Sequence, residues 1–462
     1  MSAKSITEDV LPENIVDDLP SVSVEPVSAK ESPPPSEELD LSKLAALRAK
    51  SQSKQPENSM SKPVAKKDCS LKFGVIGSGQ GGGRLAETFF KFQYPAVAVN
   101  TAIQDLKGLN IPDSNKLLLE YGLGGASKDL EIGKAAAEQH RDSISALVRD
   151  KVADNCQVFV FCLSLGGGSG AGSCETIVSV LSEFEKPIIV IAALPMSNED
   201  PQTKQNSLDT LSKLAKMAQN SQIANLIVVD NAKIETIYSN VSQMSFYDVA
   251  NKAIVEPLDV LNALSSMPSS SKALDPMEFT KIMLDSSGCT VYGQMDVHNY
   301  RQDTALAEAI IQNLDGNLLA TGFDLKQAKY VGVMFVASKR VWDNVPASSV
   351  NYGMALVNDQ CGSPLGVFRG LYTVDSPEDV VKVYSVFSGV GLPATRVAAL
   401  QKETQELMSA VKAKTETRSV NLTLDLGKEA TVSDAQKVRD KIAAKNSTFG
   451  KFVGSTVVDR RK

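Results

Sequence analysis

Histidine is almost missing from this chain. There are two in 462 residues, His140 and His298, far apart in the sequence. A histidine-based metal centre or a Ser-His-Asp hydrolase is therefore not expected. The six cysteines (69, 156, 162, 174, 289 and 361) contain no CxxC spacing, and three lie in or beside apolar runs. They read as buried free thiols rather than a disulfide framework. No apolar run approaches the roughly 20 residues that span a bilayer, and Met1-Ser-Ala-Lys-Ser-Ile has no apolar signal core. The expectation is a cytoplasmic chain without membrane insertion. No charge sign dominates either: the formal net charge is −6, so no global attraction to nucleic acid follows. With 43% hydrophobic and 22% charged residues, the composition is that of a globular protein with two or three domains.

Aromatics are absent from residues 1–68, which hold eight of the twenty prolines. Such a segment cannot bury enough apolar surface to fold alone and is expected to be a disordered tail. Within it, Leu41-Ser-Lys-Leu-Ala-Ala-Leu-Arg-Ala has helical spacing, read either as transient helix or as a partner-docking motif. From residue 69 the texture changes. Apolar runs of strand length (Leu71–Ile76, Ala96–Asn100, Val158–Leu163, Ile188–Leu194, Leu226–Asp230) alternate with helical stretches. Continuous apolar runs alternating with helices predict a parallel sheet covered on both faces, in a Rossmann-like α/β domain over 69–242. A long central helix is expected over 243–267, with Pro257 interrupting and kinking it. A second α+β domain follows over 268–398, with strands at Thr290–Asp296, Tyr330–Ala337, Leu365–Leu371 and Val380–Ser388. The last segment, 399–462, reads as a helical extension ending in a basic tail. That tail is either solvated or a contact for a polyanion.

What is abundant is glycine in clusters. The richest is Leu163-Ser-Leu-Gly-Gly-Gly-Ser-Gly-Ala-Gly-Ser173, between a strand and a helix. Backbone N–H groups in such a loop approach an anion closely, and the helix start adds its positive dipole end. Gly167-x-x-x-x-Gly172 has Walker A spacing, but Ser173 stands where that motif needs lysine. A second cluster, Gly77-Ser-Gly-Gln-Gly-Gly-Gly83, follows the first strand and precedes a helix expected from Arg84. It contains the dinucleotide pattern Gly77-x-Gly79-x-x-Gly82, but the second strand ends in Val99-Asn100-Thr101 where a nicotinamide enzyme wants an acid. A third, Gly122-Leu-Gly-Gly-Ala126, precedes a helix beginning near Asp129. Three glycine stretches on one sheet suggest a polyphosphate held by backbone donors without a lysine. As tight turns alone they would be harder to explain.

The loop Gly166–Ser173 resembles the signature of the tubulin/FtsZ superfamily, with Ser169 where threonine is usual. Its surroundings agree in order and spacing. Around the phosphates, the resemblance implies binding by Gly77, Gly79, Gln80 and Gly81, by Asn100, by Gly124, Gly125 and Ala126, and by Gly166, Gly167, Gly168, Ser169, Gly170 and Ala171. It implies that Pro195 and Glu199 face the sugar and that Asn231 contacts guanine. Tyr247 and Asn251, one helical turn apart on one face, would stack on and hydrogen-bond the base, although Phe246 is an alternative stacker. In Leu274-Asp-Pro-Met-Glu-Phe279, Asp275 and Glu278 match the acids that the family inserts into the next subunit's site to position water. The same residues also make a good helix capping box, and Ala273 stands where FtsZ commonly has asparagine. Taken together, the resemblance covers roughly residues 70–400. Gly322-Phe-Asp-Leu, Tyr330–Phe335 and Val383–Pro393 extend it, and details of the last favour the TubZ-like plasmid and phage branch. It implies a GTP/GDP-binding, Mg2+-dependent GTPase that forms head-to-tail filaments and moves plasmid or phage DNA through an adaptor on its C-terminal extension. FtsZ-type division work and a non-catalytic filament protein are the alternatives. No metal ligand can be assigned from spacing.

Overall fold

The computed structural model describes residues 68–417, apart from 243, 244, 270, 317 and 318, and leaves undescribed the side chains of 314–316 and 414–417. The tail expected over 1–68 lies outside the described residues except for Asp68, as does the basic end beyond 417.

The chain begins as a β/α alternation: β1 (Phe73–Ser78), α1 (Gly79–Lys91), β2 (Ala96–Asn100), β3 (Lys116–Leu118), α2 (Leu130–Gln139), α3 (Arg141–Lys151), β4 (Val158–Ser164), α4 (Gly168–Gly172), α5 (Cys174–Ser182), β5 (Ile188–Leu194), α6 (Pro201–Gln219), β6 (Asn225–Asp230) and α7 (Asn231–Ile237). Then come α8 (Phe246–Leu264), α9 (Pro276–Leu284), β7 (Gly288–Val297), α10 (Ala305–Gly316), β8 (Tyr330–Ala337), α11 (Ala347–Gln360), β9 (Gly366–Thr373), β10 (Val381–Val390) and α12 (Ala394–Thr417). All ten strands form one sheet in the order β3-β2-β1-β4-β5-β6-β7-β10-β8-β9. The first seven of these are parallel throughout. β10 then runs antiparallel to both β7 and β8, and β9 is parallel to β8.

The apolar runs predicted as strands are strands because helices cover both faces. Every residue of β1, β2, β5 and β6 is buried, as a doubly covered parallel sheet requires. β7 meets β6 at only two register positions, Asn225 with Gly288 and Leu226 with Cys289. One hydrophobic cluster nevertheless extends from Leu71 to Leu400. Five of the six cysteines are buried and all six are free thiols, as composition implied.

Two expectations need correction. First, α1 starts at Gly79, five residues before the expected start at Arg84, and Gly168–Gly172 is a short helix rather than a loop. Gly79 takes φ +71, a conformation that glycine reaches without strain, and this turns the chain straight from β1 into α1. The following glycines let α1 lie close on the sheet. A Cβ on Gly82 would stand 2.2 Å from the Cys162 carbonyl oxygen, and one on Gly77 would stand 2.3 Å from the Gly82 carbonyl oxygen. Second, the central helix is shorter than the 243–267 expected: it runs from Phe246 to Leu264 with Pro257 inside it. Proline removes one backbone hydrogen bond, but Ile254, Val255, Leu258 and Leu261 are buried on either side and hold the helix to the core.

Candidate functional site

The sheet's strand order reverses between β1 and β4, the place where an open α/β sheet leaves a crevice at its C-terminal edge. A cleft of about 410 Å³ lies there. Most of its lining leaves a parallel strand: Ser78–Gly81 after β1, Ala102 and Asp105 after β2, Gly166–Gly170 after β4, Pro195, Met196 and Glu199 after β5, and Asn231 after β6.

Glycine serves two purposes in these walls. Gly167 has nothing within 4 Å of a would-be Cβ and opens into the cleft. Its neighbours fit where a side chain could not: a Cβ on Gly170 would stand 2.8 Å from the Ser78 carbonyl oxygen, and one on Gly168 would stand 2.9 Å from the Asp129 backbone nitrogen. Hydroxyl pairs lock this seam. Ser78 and Ser173 are 2.7 Å apart, and Thr101 and Ser169 are 2.5 Å apart. The first turn of α1 directs its unpaired N–H groups and positive dipole end at the cleft, which suits an anion.

At the opposite wall, Tyr247, Asn251 and Ile254 present one face of α8. The choice between the two adjacent aromatics is visible in the structure: Phe246 is 7% exposed and belongs to the core, whereas Tyr247 lines the cleft. The Arg84 guanidinium lies over the Tyr247 ring, 4.7 Å from its centroid. A planar aromatic with an amide one turn away and a second amide, Asn231, facing it can stack on and hydrogen-bond a flat heterocycle.

Lys128 and Asp200 join the third glycine stretch to the start of α6 by an ion pair. Burial would raise the Asp200 carboxyl, but hydrogen bonds from Lys128 and from the Thr203 N–H and hydroxyl bring it down to about 2. Asp200 also caps α6, accepting the Thr203 N–H at 3.0 Å.

Residues 72–239 match the model of the Tubulin/FtsZ family, GTPase domain, and residues 259–401 match that of the Tubulin/FtsZ-like protein TubZ-like, C-terminal domain. The chain belongs to the tubulin/FtsZ family. It is 26% identical over 355 residues to the tubulin-like protein TubZ of Bacillus cereus, covering 70% of this chain and 80% of that protein. It is also 26% identical over 326 residues to the tubulin-like protein CetZ of Pyrococcus abyssi, covering 68% and 85%. Among solved structures, GDP-form protofilaments of Bacillus thuringiensis serovar israelensis TubZ superpose with a TM-score of 0.67 at 20% identity, over 76% of this chain and 95% of that one. A GTPγS-bound protofilament of CetZ2 from Haloferax volcanii superposes at 0.60 and 21% identity, over 74% and 100%.

Most residues singled out by the tubulin/FtsZ resemblance meet in the one cleft: Gly79, Gln80, Gly81, Gly125, Ala126, Gly166–Gly170, Pro195, Glu199, Asn231, Tyr247 and Asn251. Four do not line it. The Asn100 side chain is turned to Asp105 Oδ2 at 3.0 Å and to the Ala102 N–H at 3.1 Å. Gly77 is pressed against the Gly82 carbonyl, Ala171 is buried within α4, and Gly124 stands exposed with φ +87. Arg84, Asp105, Lys128 and Thr203 line the cleft unforeseen. Arg84 was hidden by the misplaced start of α1. With that helix starting at Gly79, Arg84 falls one turn after Gln80 and Gly81, beside the cleft.

Asp275 and Glu278 are elsewhere. They form a reciprocal capping box on α9, in which the Glu278 N–H donates to Asp275 Oδ1 at 2.8 Å and the Asp275 N–H donates to Glu278 Oε2 at 3.1 Å. The route to them is set by α8. Its first turns line the cleft. Its last turn is tied to the foot of β1, where Asn262 accepts the Leu71 N–H at 2.8 Å and donates to the Leu71 carbonyl at 2.7 Å. Nineteen residues of helix span roughly 28 Å, and none of residues 265–278 lines the cleft. Among the described residues no group of three or more His, Cys, Asp or Glu could hold a metal, and no helix is long and apolar enough to cross a membrane.

Proposed function

We propose that this chain binds GTP in the cleft and hydrolyses it when a neighbouring copy supplies Asp275 and Glu278, so that turnover accompanies filament assembly. The observation that carries this reading is that neither acid lines the cleft, while both are held at the start of α9, beyond the end of α8. On this reading a head-to-tail neighbour supplies the acids that a subunit's own cleft lacks. The glycine backbone of α1 and of 166–170 would hold the phosphates, Pro195 and Glu199 would face the sugar, and Asn231, Tyr247 and Asn251 would hold guanine. Each acid uses one oxygen in the capping box. Asp275 is exposed and Glu278 half-buried, which suits a carboxylate that orients water for in-line attack on the γ-phosphate. The cleft carboxylates are Asp105 and Glu199. With Glu199 facing the sugar, Asp105 is the one that would hold Mg2+, which takes one or two carboxylates when phosphates and waters complete its shell. Mg2+ would supply charge neutralisation at the phosphates.

Relatives support a filament: solved TubZ structures include two-stranded and four-stranded helical forms. One is a type III plasmid segregation TubZ, and together with the TubZ relatives it supports assigning this chain to moving or positioning plasmid or phage DNA; the DNA-binding adaptor on its C-terminal extension is our extension of the family resemblance. Division-ring work of the FtsZ type is the second reading, and the CetZ matches mean that the cellular role does not follow from family membership. The test of the chemistry is Asp275→Asn with Glu278→Gln. Asparagine still caps a helix, so the fold is kept while the charges go. The expected result is GTP-dependent pelleting with phosphate release reduced at least tenfold. Phosphate release at the unsubstituted rate would refute the assignment.

A further inference from the structure

Beyond the cleft, the fold holds a chain of four buried or half-buried charges that the reading above does not use. Asp230 ends β6, caps α7 by accepting the Ala232 N–H at 3.2 Å, and is 3% exposed. Arg396, 7% exposed on the first turn of α12, brings its Nε to 3.0 Å from Asp230 Oδ2 and donates through Nη1 to Glu403 Oε1 at 3.1 Å. Glu403 Oε2 accepts from Lys204 Nζ at 2.7 Å, and Lys204 donates again to the Ser197 carbonyl at 2.9 Å. Lys204 is 2% exposed. A lysine or arginine so buried is tolerable only when its partners are fixed. Glu403 reports that fixation: burial would raise its carboxyl, but Lys204 and Arg396 hold it below its ordinary value.

Both ends of this chain are cleft walls. Asp230 precedes Asn231, and Ser197 lies between the cleft residues Met196 and Glu199. Glu403 and Arg396, on one helix two turns apart, thus grip the wall after β5 and the wall after β6 together. The charge chain makes no direct bond to the phosphate side; that side meets α6 separately, through Asn206 Nδ2 donating to the Gly166 carbonyl at 3.2 Å. The start of α12 is itself anchored, with the Ala394 N–H on the Gly322 carbonyl at 2.9 Å.

We infer that Arg396 and Glu403 are positioning residues for the base and sugar half of the nucleotide site, holding Asn231 and the Pro195–Glu199 wall in place without touching the ligand. The inference rests on the cleft being the GTP site. It makes α12 an element that sets nucleotide grip.

The test uses the full-length protein with Glu403→Gln, which keeps shape and one acceptor but removes the charge, and with Arg396→Lys. GDP binding is measured by titration calorimetry, tripolyphosphate binding by competition, and folding by thermal unfolding. The expected result for Glu403→Gln is GDP binding about tenfold weaker with tripolyphosphate binding unchanged, and Arg396→Lys should follow the same pattern. Equal weakening of both ligands, or GDP binding unchanged in the folded Glu403→Gln variant, would overturn the proposal. If the unsubstituted protein binds tripolyphosphate but no guanine nucleotide, the reading of the cleft fails instead.

Discussion

Gly82 and Gly167 are both small, and for opposite reasons. A methyl on Gly82 meets a backbone carbonyl oxygen at 2.2 Å, whereas one on Gly167 meets nothing within 4 Å. Gly82→Ala should therefore destabilise the fold by about 1–3 kcal/mol, the usual cost of overpacking, in denaturant unfolding. Gly167→Ala should leave the unfolding midpoint nearly unchanged and weaken nucleotide binding. The clusters were legible as phosphate-binding glycines, but their division of labour was not, because close approach between α1 and β4 is a fact of packing rather than of spacing. Ionisation gives two further expectations at this scale. Burial pushes Cys156 to about 11 and Cys174 and Cys289 to about 12, so these thiols should resist alkylation at pH 8 in the folded protein and react after unfolding. Asp200 is held at about 2 against an unfolded value of about 3.9. Its contribution to stability is present above about pH 4 and lost as pH falls toward 2. Asp200→Ala should cost about 1 kcal/mol at pH 7, as loss of a helix cap does, and the gap from the unsubstituted protein should close between pH 4 and pH 2.

At the scale of elements, α8 connects the cleft to the foot of β1, and Asn262 makes the lower connection. It is fully buried and satisfies both backbone groups of Leu71. Asn262→Ala leaves the Leu71 N–H without this acceptor and its carbonyl with the weak Cys69 thiol donor at 3.4 Å, at a cost of about 1–3 kcal/mol for the unpaired N–H, readable as a lowered unfolding midpoint. The helix itself was legible from its period of apolar residues, and β5 and β8 were legible to the residue. What the sequence hid were helix starts that run through glycine. Propensity argues against a helix over Gly79–Gly83, and only packing against β1 and β4 overrides it. The capping box at Asp275 was legible because its residue types and spacing state the bond pattern directly.

At the scale of the whole molecule, a parallel sheet with glycine stretches at the ends of its strands followed from alternating apolar runs, but the order of its strands did not. The narrow β6–β7 seam and the charge chain through α12 did not, since Arg396, Glu403 and Lys204 are ordinary surface residue types until the fold buries them. If the active site is shared between copies, an equal mixture of the Asp275→Asn, Glu278→Gln variant with a cleft variant such as Tyr247→Ala, Asn251→Ala should hydrolyse GTP although neither does so alone. Roughly a quarter of its head-to-tail interfaces would pair an intact cleft with intact acids. Activity no greater than the sum of the two components would argue that each chain acts by itself.

The separation set by α8 has an arithmetic consequence on this reading. A filament of n copies holds n clefts but n − 1 completed sites, because one end always shows a cleft with no neighbour. The subunit there keeps its triphosphate however old the filament is. Its two ends are then chemically different: one tip shows a cleft that still holds triphosphate, and the other shows a pair of acids with no nucleotide to act on.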